Sequence, residues 1–108
     1  MLHHPKIIGE LNGSYIKIFK ACGEFVWHSH EREDEFFLVV KGTLHIKLRE
    51  KEIILDAGEF FIVPKGIEHF PYAPKEAHVL LFEPKEVINT GNTPCAKTVE
   101  NPERILYD

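Results

Sequence analysis

Cysteine is scarce in this chain. Cys22 and Cys95 stand far apart and form no CxxC pair, which excludes a disulfide-dense secreted scaffold. The expected state is two reduced thiols in a cytoplasmic protein, with a single Cys22–Cys95 disulfide as the alternative. Long apolar runs are missing as well: none approaches the roughly 18 residues of a membrane span. The opening Met1-Leu2-His3-His4-Pro5-Lys6 lacks the apolar region of a signal peptide. There is no basic run, and 13 Lys+Arg against 17 Asp+Glu give a formal net charge of -4. That balance argues against nucleic acid and anionic membrane surfaces as partners. What is present is 44% hydrophobic and 28% charged residues over 108 positions, the composition of one soluble globular domain spanning 1–108. Histidine departs from the ordinary, with seven in so short a chain.

Short β-type runs broken by Gly, Pro and charge fill most of the sequence. They are Ser14–Lys20, Glu24–His30, Glu35–Val40, Thr43–Arg49, Glu52–Leu55, Glu59–Val63, Ile67–Phe70 and Ala77–Phe82. Turn chemistry separates them at Lys41-Gly42, Glu50-Lys51, Asp56-Ala57-Gly58, Pro64-Lys65-Gly66 and Ala73-Pro74-Lys75-Glu76. No segment before residue 83 keeps helical apolar spacing for three turns. Short strands at such spacing predict an all-β antiparallel sandwich or barrel. In the tail, Asn89–Pro94 reads as loop, and Thr98–Ile105 as an extended edge or one helical turn.

Turn geometry assigns faces. A two-residue hairpin at Lys41-Gly42 pairs Val40 with Thr43, Leu38 with His45 and Phe36 with Lys47. The opposite face then carries Glu35, Phe37, Val39, Leu44, Ile46 and Leu48, apolar except for one carboxylate. A carboxylate inside a hydrophobic barrel requires a cation or a dense set of hydrogen bonds. His28 and His30, two apart on a strand, point to one side, with Phe25 and Trp27 on the other. A turn at Lys65-Gly66 pairs Pro64 with Ile67 and Ile62 with His69, putting His69 on a face with Phe60 and Ile62.

Three imidazoles and one carboxylate fit a divalent first-row metal. With no thiolate in the set and four protein ligands, an octahedral ion keeps two open positions. Glu33 and Asp34 compete with Glu35, which ranks first on hairpin phase. His45 reads as a surface residue, the phase of His78 is open, and His3 and His4 read as a solvated end. Cys22 reads as a small buried filler. The expected pocket walls are Val26, Phe37, Val39, Leu44, Ile46, Phe60 and Ile62, with no inward Lys or Arg cluster to hold a phosphate.

These residues also carry a resemblance. Gly23, His28-Ser29-His30, Glu35 and Gly42 resemble the first motif of the cupin superfamily, and Gly58, Pro64-Lys65-Gly66 and His69 its second. Two positions depart from the pattern: four residues separate Gly23 from His28 where five are usual, and Ala73 stands where Asn is frequent. The motifs and the strands around them cover about residues 14–83, leaving 84–108 as a C-terminal extension. The resemblance implies a jelly-roll β-barrel (a double-stranded β-helix) with a metal near one mouth. It implies His28, His30, Glu35 and His69 as ligands of one divalent ion, with Fe, Mn, Ni, Zn and Cu undistinguished. It also implies a homodimer in many single-domain members. Phe36, Leu38 and Val40, facing outward, suit such an interface, or a cover by a terminal strand of the same chain. Known cupins include dioxygenases, isomerases, decarboxylases and epimerases. The functional expectation is therefore a small-molecule metalloenzyme of dioxygenase or isomerase type. The alternatives are a non-catalytic metal- or ligand-binding module and an idle structural barrel.

Overall fold

A computed structural model describes residues 4–85 and 103–104. It contains β1 (Lys6–Leu11), β2 (Ser14–Glu24), β3 (Glu35–Lys41), β4 (Thr43–Leu48), β5 (Glu52–Asp56), β6 (Phe60–Val63), β7 (His69–Pro84) and β8 (Glu103–Arg104). The architecture is the expected all-β jelly roll. Its main path runs β5-β4-β7-β2-β1-β8; β3 branches from β7, and β6 pairs with β3. Pairing is antiparallel except between β1 and β8. No helix among the described residues is long and apolar enough to cross a membrane.

β7 is the spine. On one edge it pairs with β2 from Tyr72 to Pro84. On the other, its first half takes β4 (His69 to Tyr72) and its second half takes β3 (His78 to Phe82). The segment 73–76 has the composition of a turn, but it does not reverse the chain. Between the pairs Gly23↔Ala73 and Ala21↔Ala77, residues 74–76 face Cys22 alone. Pro74 cannot donate to a ladder, so the signal is expressed as a bulge that bends one long strand.

The Lys41-Gly42 hairpin does not form: β3 pairs with β6 and β7, and β4 with β5 and β7. Gly42 instead turns the chain from one side of the spine to the other. Its φ is 87°, and a Cβ there meets the Glu76 carbonyl oxygen at 2.9 Å and the Ala77 Cβ at 3.1 Å. Glycine is required both for the left-handed backbone and for the close approach. The face assignment survives because side chains alternate along each strand whichever neighbour it pairs with. Phe37, Val39, Leu44 and Ile46 are buried in one core with Val63, Val79 and Leu81.

The Ile62–His69 pairing also fails. Ile67 N–H donates to the Pro64 carbonyl at 3.2 Å, so the turn exists. Beyond it, however, β6 pairs with β3 (Phe36↔Ile62, Leu38↔Phe60) and not with β7. Paired residues share a face, so Phe60 and Ile62 join Phe36 and Leu38 outside, at 58% and 46% exposure. Phe61 and Val63 turn inward instead. β1 was not expected from the sequence. It is tied to β2 by Asn12 (φ 49°) and Gly13 (φ 80°), a two-residue turn with both residues left-handed.

Candidate metal centre

Residues 25–27 are not a strand, so strand periodicity does not place the two histidines that follow. Backbone staples do. His28 N–H donates to the His69 carbonyl at 3.0 Å and His69 N–H returns the bond at 2.9 Å. Gly66 N–H donates to the His30 carbonyl at 2.8 Å, and Lys65 N–H to Asp34 Oδ1 at 2.9 Å. The Pro64-Lys65-Gly66 turn thus holds the 28–34 loop against the start of β7, and Glu35 opens β3 alongside. His28, His30, Glu35 and His69 are all buried, and their candidate ligand atoms lie within 4.8 Å of one another.

The rings are oriented for ligation. His28 Nδ1–H donates to the Val26 carbonyl at 2.8 Å, and His69 Nδ1–H to the Ile67 carbonyl at 3.0 Å. Each bond holds a proton on Nδ1 and turns Nε2 inward toward the Glu35 carboxylate, where it serves as a metal ligand once it carries no proton. The Nε2 atoms of His69, His30 and His28 lie 2.9, 3.2 and 4.0 Å from the same oxygen, Glu35 Oε1. His30 Nε2 is buried without a well-directed hydrogen bond. Acceptors crowded this closely need positive charge among them. A proton satisfies one ring at a time; a divalent cation satisfies all four groups. Around an octahedral ion with bonds of about 2.1 Å, adjacent donors stand about 3 Å apart and opposite ones about 4.2 Å; the 2.9–4.0 Å separations from Glu35 Oε1 fall in or near that range, and the 4.8 Å limit of the whole set lies about 0.6 Å beyond it.

Protonation follows the same geometry. Burial, reinforced by the neighbouring His69 ring, lowers the His28 pKa to about 4, leaving a neutral imidazole at neutral pH. Burial opposes protonation of His30, but the Glu35 carboxylate beside it holds its pKa above the ordinary value. Burial likewise opposes ionisation of Glu35, yet the His30 and His69 ring nitrogens, 3.2 and 2.9 Å from its Oε1, keep it well below the usual carboxylate range.

Beside the centre lies a small pocket, partly open to solvent, with a cavity volume of about 30 Å³. His28 and Glu35 form part of its wall; the rest is mostly apolar, with Phe19, Phe25, Phe37, Leu44, Pro71 and Leu81. Phe37 and Leu44 are there as expected. Val39 and Ile46 pack in the core without lining it, Val26 is half-buried elsewhere, and Phe60 and Ile62 are outside. Strand alternation puts Phe25 on the face away from His28. The structure corrects this: Phe25 meets that ring edge-on at 5.5 Å, whereas Trp27 lies outside under Arg49 at 3.7 Å.

The other candidates fall away. Asp34 is exposed and caps Lys65. His45 faces outward, stacked on Tyr72 and bonded to Glu52. His78 bonds Glu76 at 2.9 Å away from the pocket. Cys22 is half-buried at the bulge between β2 and β7. His4 is exposed. His3, Cys95 and the Asn89–Pro94 loop lie outside the described residues; of Thr98–Ile105, Glu103–Arg104 is extended along β1.

Sequence reasoning missed an inward cation. Lys17 is 1% exposed and donates to Glu83 Oε1 at 3.1 Å. Burial and the neighbouring Glu35 push the Glu83 carboxyl up to about 8 against the pull of Lys17. Alternation carried from Val79 and Leu81 reaches Glu83, but both faces of β2 and β7 are apolar enough that phase alone does not mark the inner one.

A family model described as a cupin domain matches residues 16–84. A cupin-2 domain protein from Shewanella frigidimarina is 44% identical, with a TM-score of 0.77 covering 78% of this chain and 82% of that one. Protein NMB1881 from Neisseria meningitidis is 25% identical, with a TM-score of 0.70 over 77% of this chain and 84% of its own. The uncharacterised protein YdbB from Bacillus subtilis is 36% identical over 63 residues, 57% of this chain but only 56% of YdbB. With both histidine-bearing motifs inside the matched region and the barrel around them, this chain belongs to the cupin domain family.

Proposed function

We propose that the chain is a metal-dependent enzyme acting on a small, largely apolar molecule, by chemistry of the dioxygenase or isomerase type. His28, His30, Glu35 and His69 are the proposed ligands of one divalent ion. The observation that carries the reading is that His28 and Glu35 belong at once to the ligand cluster and to the pocket wall. A molecule in the pocket therefore lies beside the coordination positions that the protein leaves open. Bound there, such an ion supplies Lewis-acid polarisation or dioxygen activation. The phenyl rings of Phe19, Phe25 and Phe37 exclude water and hold an apolar body.

A second reading, a non-catalytic ligand-binding or sensing module, is favoured by the poverty of acid–base groups. Among the described residues, Tyr72 is the only further titratable one in the pocket wall, and its hydroxyl donates to Glu52 at 2.9 Å. The reading also includes the cytoplasm as compartment and a homodimer through the outer face of β6, β3 and β7, where Phe60, Ile62, Val40 and Phe82 are 40–58% exposed.

The deciding experiment loads metal-free protein with Fe(II) or Zn(II) and screens small carboxylates, phenols and aldehydes for thermal shift, then for oxygen uptake or isomerisation. Turnover that is lost in His28→Ala supports the enzyme. Thermal shift without turnover under either metal supports the binding module.

A further inference from the structure

The Lys17–Glu83 pair is not explained by folding. Both side chains are 1% exposed, and replacing a buried ion pair with apolar side chains of similar size is often neutral or stabilising. Its placement is not random either. β7 lies between β3 and β2. Phe36 opposes Phe82, which brings Glu35 and Glu83 side by side on the inner face. Lys17 stands on β2, beyond Glu83 as seen from Glu35. Lys17 Nζ takes Glu83 Oε1, while Glu83 Oε2 is buried with no hydrogen-bond partner among the described residues. Neither residue lines the apolar pocket, so neither is a substrate contact there. With Glu83 ionised, as a cation in the ligand cluster favours, the pair is a dipole with its negative end toward that cluster and its positive end away.

Charge explains the direction. Glu35 offsets one of the two positive charges of a divalent ion, and the three imidazoles offset none. A second carboxylate next to Glu35 turns negative charge toward the ion, and the ammonium behind it fixes where that charge sits. We propose that Lys17 and Glu83 are positioning residues for the metal centre: Glu83 balances the ion's charge beside Glu35, and Lys17 holds Glu83 in place. This rests on the metal reading of His28, His30, Glu35 and His69. Outer partners of this kind commonly change metal affinity 10- to 100-fold.

The test is titration of metal-free protein with Co(II), following affinity and the visible absorption spectrum. The double variant Lys17→Met/Glu83→Met, with two apolar chains of comparable length, is expected to fold and to bind Co(II) at least about tenfold more weakly, with an altered spectrum. Glu83→Gln removes the charge while leaving an oxygen for Lys17, and is expected to weaken binding in the same direction. It carries the test if the double variant does not fold. Wild-type affinity and spectrum in the variants, whatever their melting temperature, overturn the proposal and leave the metal reading standing. Failure of the wild type itself to bind Co(II) overturns both.

Discussion

His28 has two jobs that a solvent-exposed histidine does not combine. It lies between the ligand cluster and the pocket, and burial together with His69 keeps it neutral down to about pH 4. In the unfolded chain it takes its proton near 6.5. Between these values the unfolded state binds more protons than the native one, so metal-free protein loses stability as pH falls from about 6.5 to about 4. The expected loss from this residue is about 3 kcal/mol. Denaturant unfolding of metal-free wild type and His28→Gln checks it: the decline must be clearly smaller in the variant, and equal declines contradict it. The four candidate ligand positions were legible because a carboxylate on an apolar strand face and a His-x-His demand explanation even without coordinates. Phe25 and the Lys17–Glu83 pair were not. Phe25 sits in a segment held by three backbone bonds to β7 rather than by a ladder, where period-two reasoning has no basis.

At the scale of elements, Gly42 does more than allow a turn. It carries the chain past Glu76 and Ala77 at contact distance, so a methyl group there adds overpacking against backbone to the cost of a left-handed φ. Gly13 has a similar φ of 80°, and a methyl group added there would meet nothing within 4 Å. Gly42→Ala is expected to cost about 3 kcal/mol and Gly13→Ala about 1 kcal/mol. Equal losses in denaturant melts contradict the crossing role. Strand existence and inward phase were readable, since alternation is local. Partner choice was not: turn residues at Lys41-Gly42 and at 73–76 report that the chain bends, and long-range packing decides whether it reverses, crosses or bulges.

For the whole molecule, the outer face across β6, β3 and β7 predicts self-association. A charge at Leu38, opposite both Phe60 and Leu80, is expected to convert a dimer into a monomer. Light scattering on Leu38→Glu reads this, and a wild-type monomer at micromolar concentration contradicts it. The proposed metal and the fold are expected to be coupled as well. An ion present at about a thousand times its dissociation constant adds about 4 kcal/mol, and each kcal/mol moves the melting temperature of a domain this size by about 4–8 °C. Chelation is therefore expected to lower the melting temperature by more than about 10 °C, and an unchanged melt after verified metal removal contradicts that coupling.

The central claim is that four side chains from the 28–35 segment and the start of β7 share one ion. Elemental analysis of untagged wild type, His28→Ala, His69→Ala and His45→Ala tests it most directly. The account predicts about one divalent ion per chain in wild type and His45→Ala, and loss of most of it in the other two. Equal metal content in all four proteins contradicts it.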